Sequence, residues 1–227
     1  MKSNLIRLSL FLAICLVCVS TAMASPACPS PSNWGAYLTT TSCAIDNLTF
    51  SQFGFNSGGT LAPTAASIGV VVQDPAVTPG LDGPGFNFDP AFNVASGQTA
   101  DAALTFKVTA AAGINDLLIF FNGAFTGSGS TMFSETYCTG SFTSGCHDFE
   151  VSSPGPGLSD LISIPNATAL YITKDFGVSG GPNGSASISS VTNEFSSPVP
   201  EPGQIGLLIL AMVGIVFASR RIKASAN

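Results

Sequence analysis

Hydrophobic and polar residues alternate with a period of two along much of the chain. Leu104, Phe106 and Val108 alternate with Thr105, Lys107 and Thr109, the pattern of a strand with one face in a core and the other in water. Phe133, Glu135 and Tyr137 alternate with Met132, Ser134 and Thr136 in the same way. Residues 44–55 hold two alternating stretches, Leu48/Phe50 and Phe53/Phe55. Their phase slips between them, which predicts a β-bulge. The Val70-Val71-Val72 run within 67–73 and the continuously apolar run 117–121 read as further strands, the latter in the middle of a sheet. Segments 148–152, 158–164, 169–173 and 185–195 complete the strand set.

Glycine and proline punctuate these runs. Ser57-Gly58-Gly59, Asp82-Gly83-Pro84-Gly85, Asn122-Gly123, Gly127-Ser128-Gly129, Pro154-Gly155-Pro156-Gly157 and Gly180 to Gly184 are turn signals, because these residues supply the positive or fixed φ angles that tight turns need. No sustained helical stripe with caps occurs between the leader and Pro202. The pattern predicts an all-β fold: an antiparallel β-sandwich of about eight to ten strands, as one domain over residues 25–197.

The two ends read differently. Lys2 and Arg7 precede an apolar core from Leu8 to Val19, and Ala22-Met23-Ala24 offers small residues for signal cleavage. Residues 1–24 are thus expected to be a secretory signal peptide, cut after Ala24 by signal peptidase. The core is too short to span a bilayer comfortably. At the other end, Pro202 to Ser219 carries no charge. As a helix it would extend about 27 Å, enough for a bilayer core, and the span is placed at 203–219. Arg220, Arg221 and Lys223 follow. Such a basic cluster holds its end in the cytoplasm and leaves the domain outside, with 224–227 as a short cytoplasmic tail.

Export changes the meaning of the cysteines. Cys15 and Cys18 form a C-x-x-C inside the leader and leave with it. Cys28, Cys43, Cys138 and Cys146 remain, in an oxidising compartment that favours disulfides. Three pairings are open. Proximity in sequence favours Cys28–Cys43 and Cys138–Cys146, and the first would contribute about 3 kcal/mol in the chain-entropy account. With no C-x-x-C in the mature chain and one histidine, a zinc site is not expected. Charge is also uneven. All but one of the 13 acidic residues lie between Ser25 and Ser197, against Lys107 and Lys174 alone. Such a domain repels nucleic acid and anionic lipid. The 17 phenylalanines of the whole chain lie mostly in this region and supply a core, so it is not a disordered acidic tail.

Candidate chemistry is sparse. His147 beside Asp148 could act as base or ligand, but successive strand residues face opposite ways. An H-E-x-x-H motif is absent. Two carboxylates suffice for glycoside hydrolysis, yet Trp34 is the only tryptophan, a poor supply of sugar platforms. Asp74, Asp82, Asp89, Asp101 and Asp116 lie near turns and suit calcium, although no EF-hand loop pattern is present. No catalytic residue, resident metal or other cofactor is assigned; calcium is kept as an open alternative.

The order of the C-terminal parts carries more information than the apolar span alone. Val199-Pro200-Glu201-Pro202, an apolar span and Arg220-Arg221 together resemble the PEP-CTERM sorting signal of Gram-negative bacteria, over residues 198–223. The resemblance implies an exosortase substrate, held in the inner membrane by its helix and then cleaved near the motif for the cell surface or extracellular space. Extended backbone at Pro200-Glu201-Pro202 suits such processing. Members of that family are commonly associated with exopolysaccharide or biofilm. The expectation is a non-catalytic exported surface or matrix protein. The alternatives are a calcium-assisted polysaccharide-binding module and a secreted glycoside hydrolase.

Overall fold

The computed structural model describes residues 25–78, 80–153 and 158–198. The leader with Ala22 and Ala24, the sorting residues Val199, Pro200, Glu201 and Pro202, the span 203–219 and the cluster Arg220, Arg221 and Lys223 lie outside them. Among the described residues no helix is long and apolar enough to cross a membrane.

The elements run β1 (Ser32–Asn33), α1 (Trp34–Tyr37), β2 (Ser42–Ile45), β3 (Leu48–Gly58), β4 (Gly69–Gln73), β5 (Gly85–Asp89), β6 (Phe92–Val94), β7 (Thr99–Thr126), β8 (Ser130–Ser141), β9 (Ser144–Ser153), β10 (Leu158–Ser179) and β11 (Ser185–Ser196). All named strand pairs are antiparallel. Two long strands organise them. The first half of β7 pairs with β3, and the last part of β10 pairs with β8. This gives a front layer ordered β2-β3-β7-β10-β8-β9. The second half of β7 pairs with β11, and the start of β10 flanks it. This gives a back layer ordered β1-β4-β5-β11-β7-β10, with β6 also on β11.

β7 and β10 therefore pass together from one layer to the other. Their register breaks around Ile114 and Ala167. Gly113 there has φ 88° and Asn166 has φ 33°. Any side chain at Gly113 would overlap the Asn166 amide, so the corner requires glycine. The apolar pattern predicts four separate strands here, over 104–109, 117–121, 158–164 and 169–173. The structure joins them into two, because a bent strand can line both walls of a sandwich. Asn122-Gly123, expected as a turn, lies inside β7. β5 and β6 carry Phe86, Phe88 and Phe92 inward but are too short to stand out as periodic runs.

The core is aromatic. Phe50 of the front layer meets Phe86 of the back at 4.6 Å between ring centroids, and Phe106 meets Phe195 at 6.2 Å. Each fully buried phenylalanine contributes roughly 1.5–3 kcal/mol. Trp34 and Tyr37 close one end from α1, both fully buried. Asn33 caps α1 by accepting from the Ala36 N–H at 3.2 Å. Trp34 donates its indole N–H to the Gly54 carbonyl at 2.9 Å, and Tyr37 donates to the Pro29 carbonyl at 2.6 Å. Phe53 packs on both rings from the bulge between Ser51 and Gly54, where Gln52 has φ 56°. The phase slip in the sequence marks this bulge.

Two disulfides complete the domain. Cys28–Cys43 ties the first segment to β2, with Cα atoms 4.7 Å apart. Cys138–Cys146 joins directly opposed positions of β8 and β9. Both fit an extracytoplasmic protein.

Candidate functional site

The outer face of the front layer is built by strand alternation. In β7 the even residues from Ala100 to Ala110 are buried, and in β10 those from Leu170 to Val178. Odd residues face outward. Register then sets the rows. Asp101 lies opposite Gly58 and Gly177, and Gly177 opposite Met132. The next row runs Asn56, Ala103, Asp175, Ser134 and Glu150. Thr105, Thr173, Thr136 and Asp148 follow, then Lys107, Tyr171 and Cys138.

Small residues make a groove at one end, lined by Gly59, Thr99, Asp101, Met132, Gly177 and Ser179. Gly177 forms its floor because the row lacks a side chain there. Asp175 stands in the next row, opposite Ala103. Burial, then the charge and hydrogen bond of Asp101, push the Asp175 carboxyl up to about 6. Its Oδ1 is buried without a partner. At the other end, the Lys107 ammonium lies 5.0 Å from the Tyr171 ring centroid. Phe142 meets that ring edge-on at 5.1 Å. Between them Thr136 donates to Asp148 Oδ1 at 2.7 Å.

The residues singled out in the sequence do not converge. His147 stacks on Tyr137 at 5.1 Å, while Asp148 faces the other way to Thr136. Asp74 and Asp89 cap turns, accepting from Ala76 and Ala91 N–H at 2.9 and 3.1 Å. Asp82 and Asp116 line a pocket on the back layer with Leu118, Leu161, Glu194 and Ser196. Glu194 accepts from the Asp82 N–H at 3.1 Å, and burial raises its carboxyl despite that bond. Among the described residues no group of three or more histidine, cysteine or acidic side chains is placed to hold a metal. Trp34, weighed as a sugar platform, is fully buried in the core.

A second polar cluster lies between the layers. Lys174 and Glu135 are directly opposed on β10 and β8, ion-paired and fully buried. The pair has no exposed face, yet the sequence reading treats Lys174 as an ordinary charge. Asn193 of β11 donates to Glu135 Oε1 at 3.4 Å from the back layer. Its own Oδ1 and the Thr131 hydroxyl are buried without partners. Burial raises the Glu135 carboxyl and lowers the Lys174 amine, each opposed by the other. Both therefore move toward their neutral forms.

No family model matches the chain, and no curated protein does. Among solved structures it is similar to TmCBM61 in complex with β-1,4-galactotriose, at 15% identity and a TM-score of 0.36, over 63% of this chain and 88% of that one. The xylan-binding module CBM15 gives 16% identity and 0.31, over 70% and 97%. The Trichoderma harzianum endoglucanase 3 of family GH12 gives 10% identity and 0.26, over 67% and 100%. At these scores the likenesses carry no argument about function.

Proposed function

We propose that the chain is an exported, non-catalytic surface or matrix protein that binds polysaccharide on the outer face of its front layer. The observation that carries the binding reading is that face itself. Tyr171 with Lys107 and Phe142 offers an aromatic and cationic end, and Asp101, Asp175 and the groove at Gly177 offer acceptors along the same strands. A sugar presents C–H faces to rings and hydroxyls to carboxylates.

Export rests on the leader, the two disulfides and the resemblance of 198–223 to a PEP-CTERM signal, with signal peptidase and an exosortase as processing enzymes. Two experiments test the reading. The purified chain is applied to a glycan array, with Tyr171→Ala as control. Selective binding that falls at least about tenfold in the variant, about 1.4 kcal/mol, supports the site. Absence of binding to every polysaccharide leaves a purely structural surface role. Intact mass of the native protein tests sorting: a chain still ending at Asn227 makes the C-terminus a plain anchor.

A further inference from the structure

We propose that Lys174 and Asn193 are the two ends of an intramolecular amide cross-link, formed with Glu135 as the proton carrier. The three side chains meet in the sandwich interior. Glu135 touches both others, with Oε2 on Lys174 Nζ and Oε1 on Asn193 Nδ2. One carboxyl thus spans an amine from the front layer and a carboxamide from the back layer. All three residues are fully buried. Phe133 and Phe88 flank the amine, with centroids 5.3 and 5.7 Å from Nζ. Phe176 packs against both rings. The cage keeps out water that would otherwise solvate the ammonium.

An amine in water at neutral pH is protonated and does not attack an amide. Here burial works on both partners in the same sense. Transfer of the proton from Lys174 to Glu135 leaves a neutral amine beside a neutral acid, and both shifts run in that direction. The unpartnered Asn193 Oδ1 adds an independent sign. Which end of a carboxamide is oxygen is an assignment rather than an observation. Turning the amide over sets Oδ1 on Glu135, and a protonated Glu135 can then donate to it. That donation polarises the carbonyl carbon toward Nζ, and holding the groups together supplies the proximity that a free amine lacks.

The step balances without oxidant, metal or cofactor. Lys174 Nζ bonds to Asn193 Cγ. The Cγ–Nδ2 bond breaks and takes its electron pair. Glu135 accepts a proton from Nζ and returns one to the leaving nitrogen, which departs as ammonia. Glu135 is regenerated. The product is an amide joining β10 in the front layer to β11 in the back layer, a covalent staple through the core. It differs from the two disulfides, which both join neighbouring segments of the front layer and its N-terminal extension.

The sequence makes the test direct. Lys107, Lys174 and Arg220 are successive basic residues, and an acylated Lys174 is not cut by trypsin. The full chain is exported, purified, reduced, denatured and digested. Expected is an uncut Lys174. A second digest at aromatic residues is expected to give the peptide 172–176 joined to 177–195, lighter than their sum by one ammonia. Glu135→Gln is expected to yield the two peptides separately, with two-layer β signal and both disulfides retained. Asn193→Asp is expected to link again, now losing water, and to reach the same final mass as the natural chain. Separate peptides from the folded natural chain overturn the cross-link. A link that persists in Glu135→Gln overturns the role given to Glu135.

Discussion

Lys174 and Asp175 are adjacent in the chain, yet they occupy opposite physical worlds. Strand alternation turns Lys174 into the space between the layers and Asp175 onto the outer face. Each has a carboxyl as its neighbour on an adjacent strand, Glu135 for Lys174 and Asp101 for Asp175. Inside, opposite charges meet without water, and desolvation drives both toward neutrality. Outside, like charges meet at a half-wet surface, and burial together with the Asp101 charge pushes the Asp175 carboxyl up to about 6. The same strand, β10, therefore carries on its inner side an interaction between the layers and on its outer side one that responds to solvent. The lesson is that the side of the strand, more than the residue type, decides what an ionisable group does.

The largest effect should come from breaking the interior pair. Lys174→Met leaves Glu135 buried and without its partner, which is expected to cost about 3–5 kcal/mol. The change is made in an Asn193→Ala background, where no covalent link can form, so that it reports on the ion pair alone. Urea midpoints provide the measurement. Adding Glu135→Leu should recover much of the loss, because the apolar cage of Phe88, Phe133 and Phe176 then surrounds apolar side chains. A loss under about 1 kcal/mol would place Glu135 in contact with water and end the contrast between the two faces.

The two clusters were not equally legible in the sequence. The strands over 104–109, 132–137 and 185–195 follow from the apolar pattern, and the bulge in β3 follows from its phase slip. The interior cluster was present in the same signal. Glu135 stands between Phe133 and Tyr137, Lys174 between Ile172 and Phe176, and Asn193 between Val191 and Phe195. Each is a polar residue on the apolar phase of its strand. Alternation alone places them in the core. What it lacks is the register between strands whose touching residues lie 39 and 58 positions apart, which brings the three together. The outer face was hidden for the same reason: Asp101 and Asp175 meet only through the pairing of β7 with β10. The corner at Gly113 was masked because a bent strand and two strands joined by a loop have the same local pattern. The resemblance of residues 198–223 to a sorting signal is the reverse case. It rests on a linear order of residues, so no tertiary pairing is needed to see it.

The smaller effect belongs to the outer pair, and it depends on pH. In the unfolded chain Asp175 releases its proton near 3.8, whereas in the folded chain it holds it up to about 6. Between these values the folded state binds more protons than the unfolded state. Stability is therefore full below the window and falls as pH rises through it. Asp175→Asn keeps the shape and removes the titration, and its amide can donate to Asp101. The variant is expected to match the natural chain near the acid end of the window and to melt higher at neutral pH. The gain should stay under about 1 kcal/mol, since the site is partly open to water. Thermal melting across the window gives the difference. Parallel curves would mean that Asp101 and Asp175 do not share a proton. A variant that melts lower throughout would mean that the carboxylate itself holds the groove together. Lys174→Met serves as the contrast, because its cost comes from a buried carboxyl left without its partner between the layers. That cost should persist at neutral pH, where the outer substitution is stabilising, so the two neighbouring positions should shift melting in opposite directions.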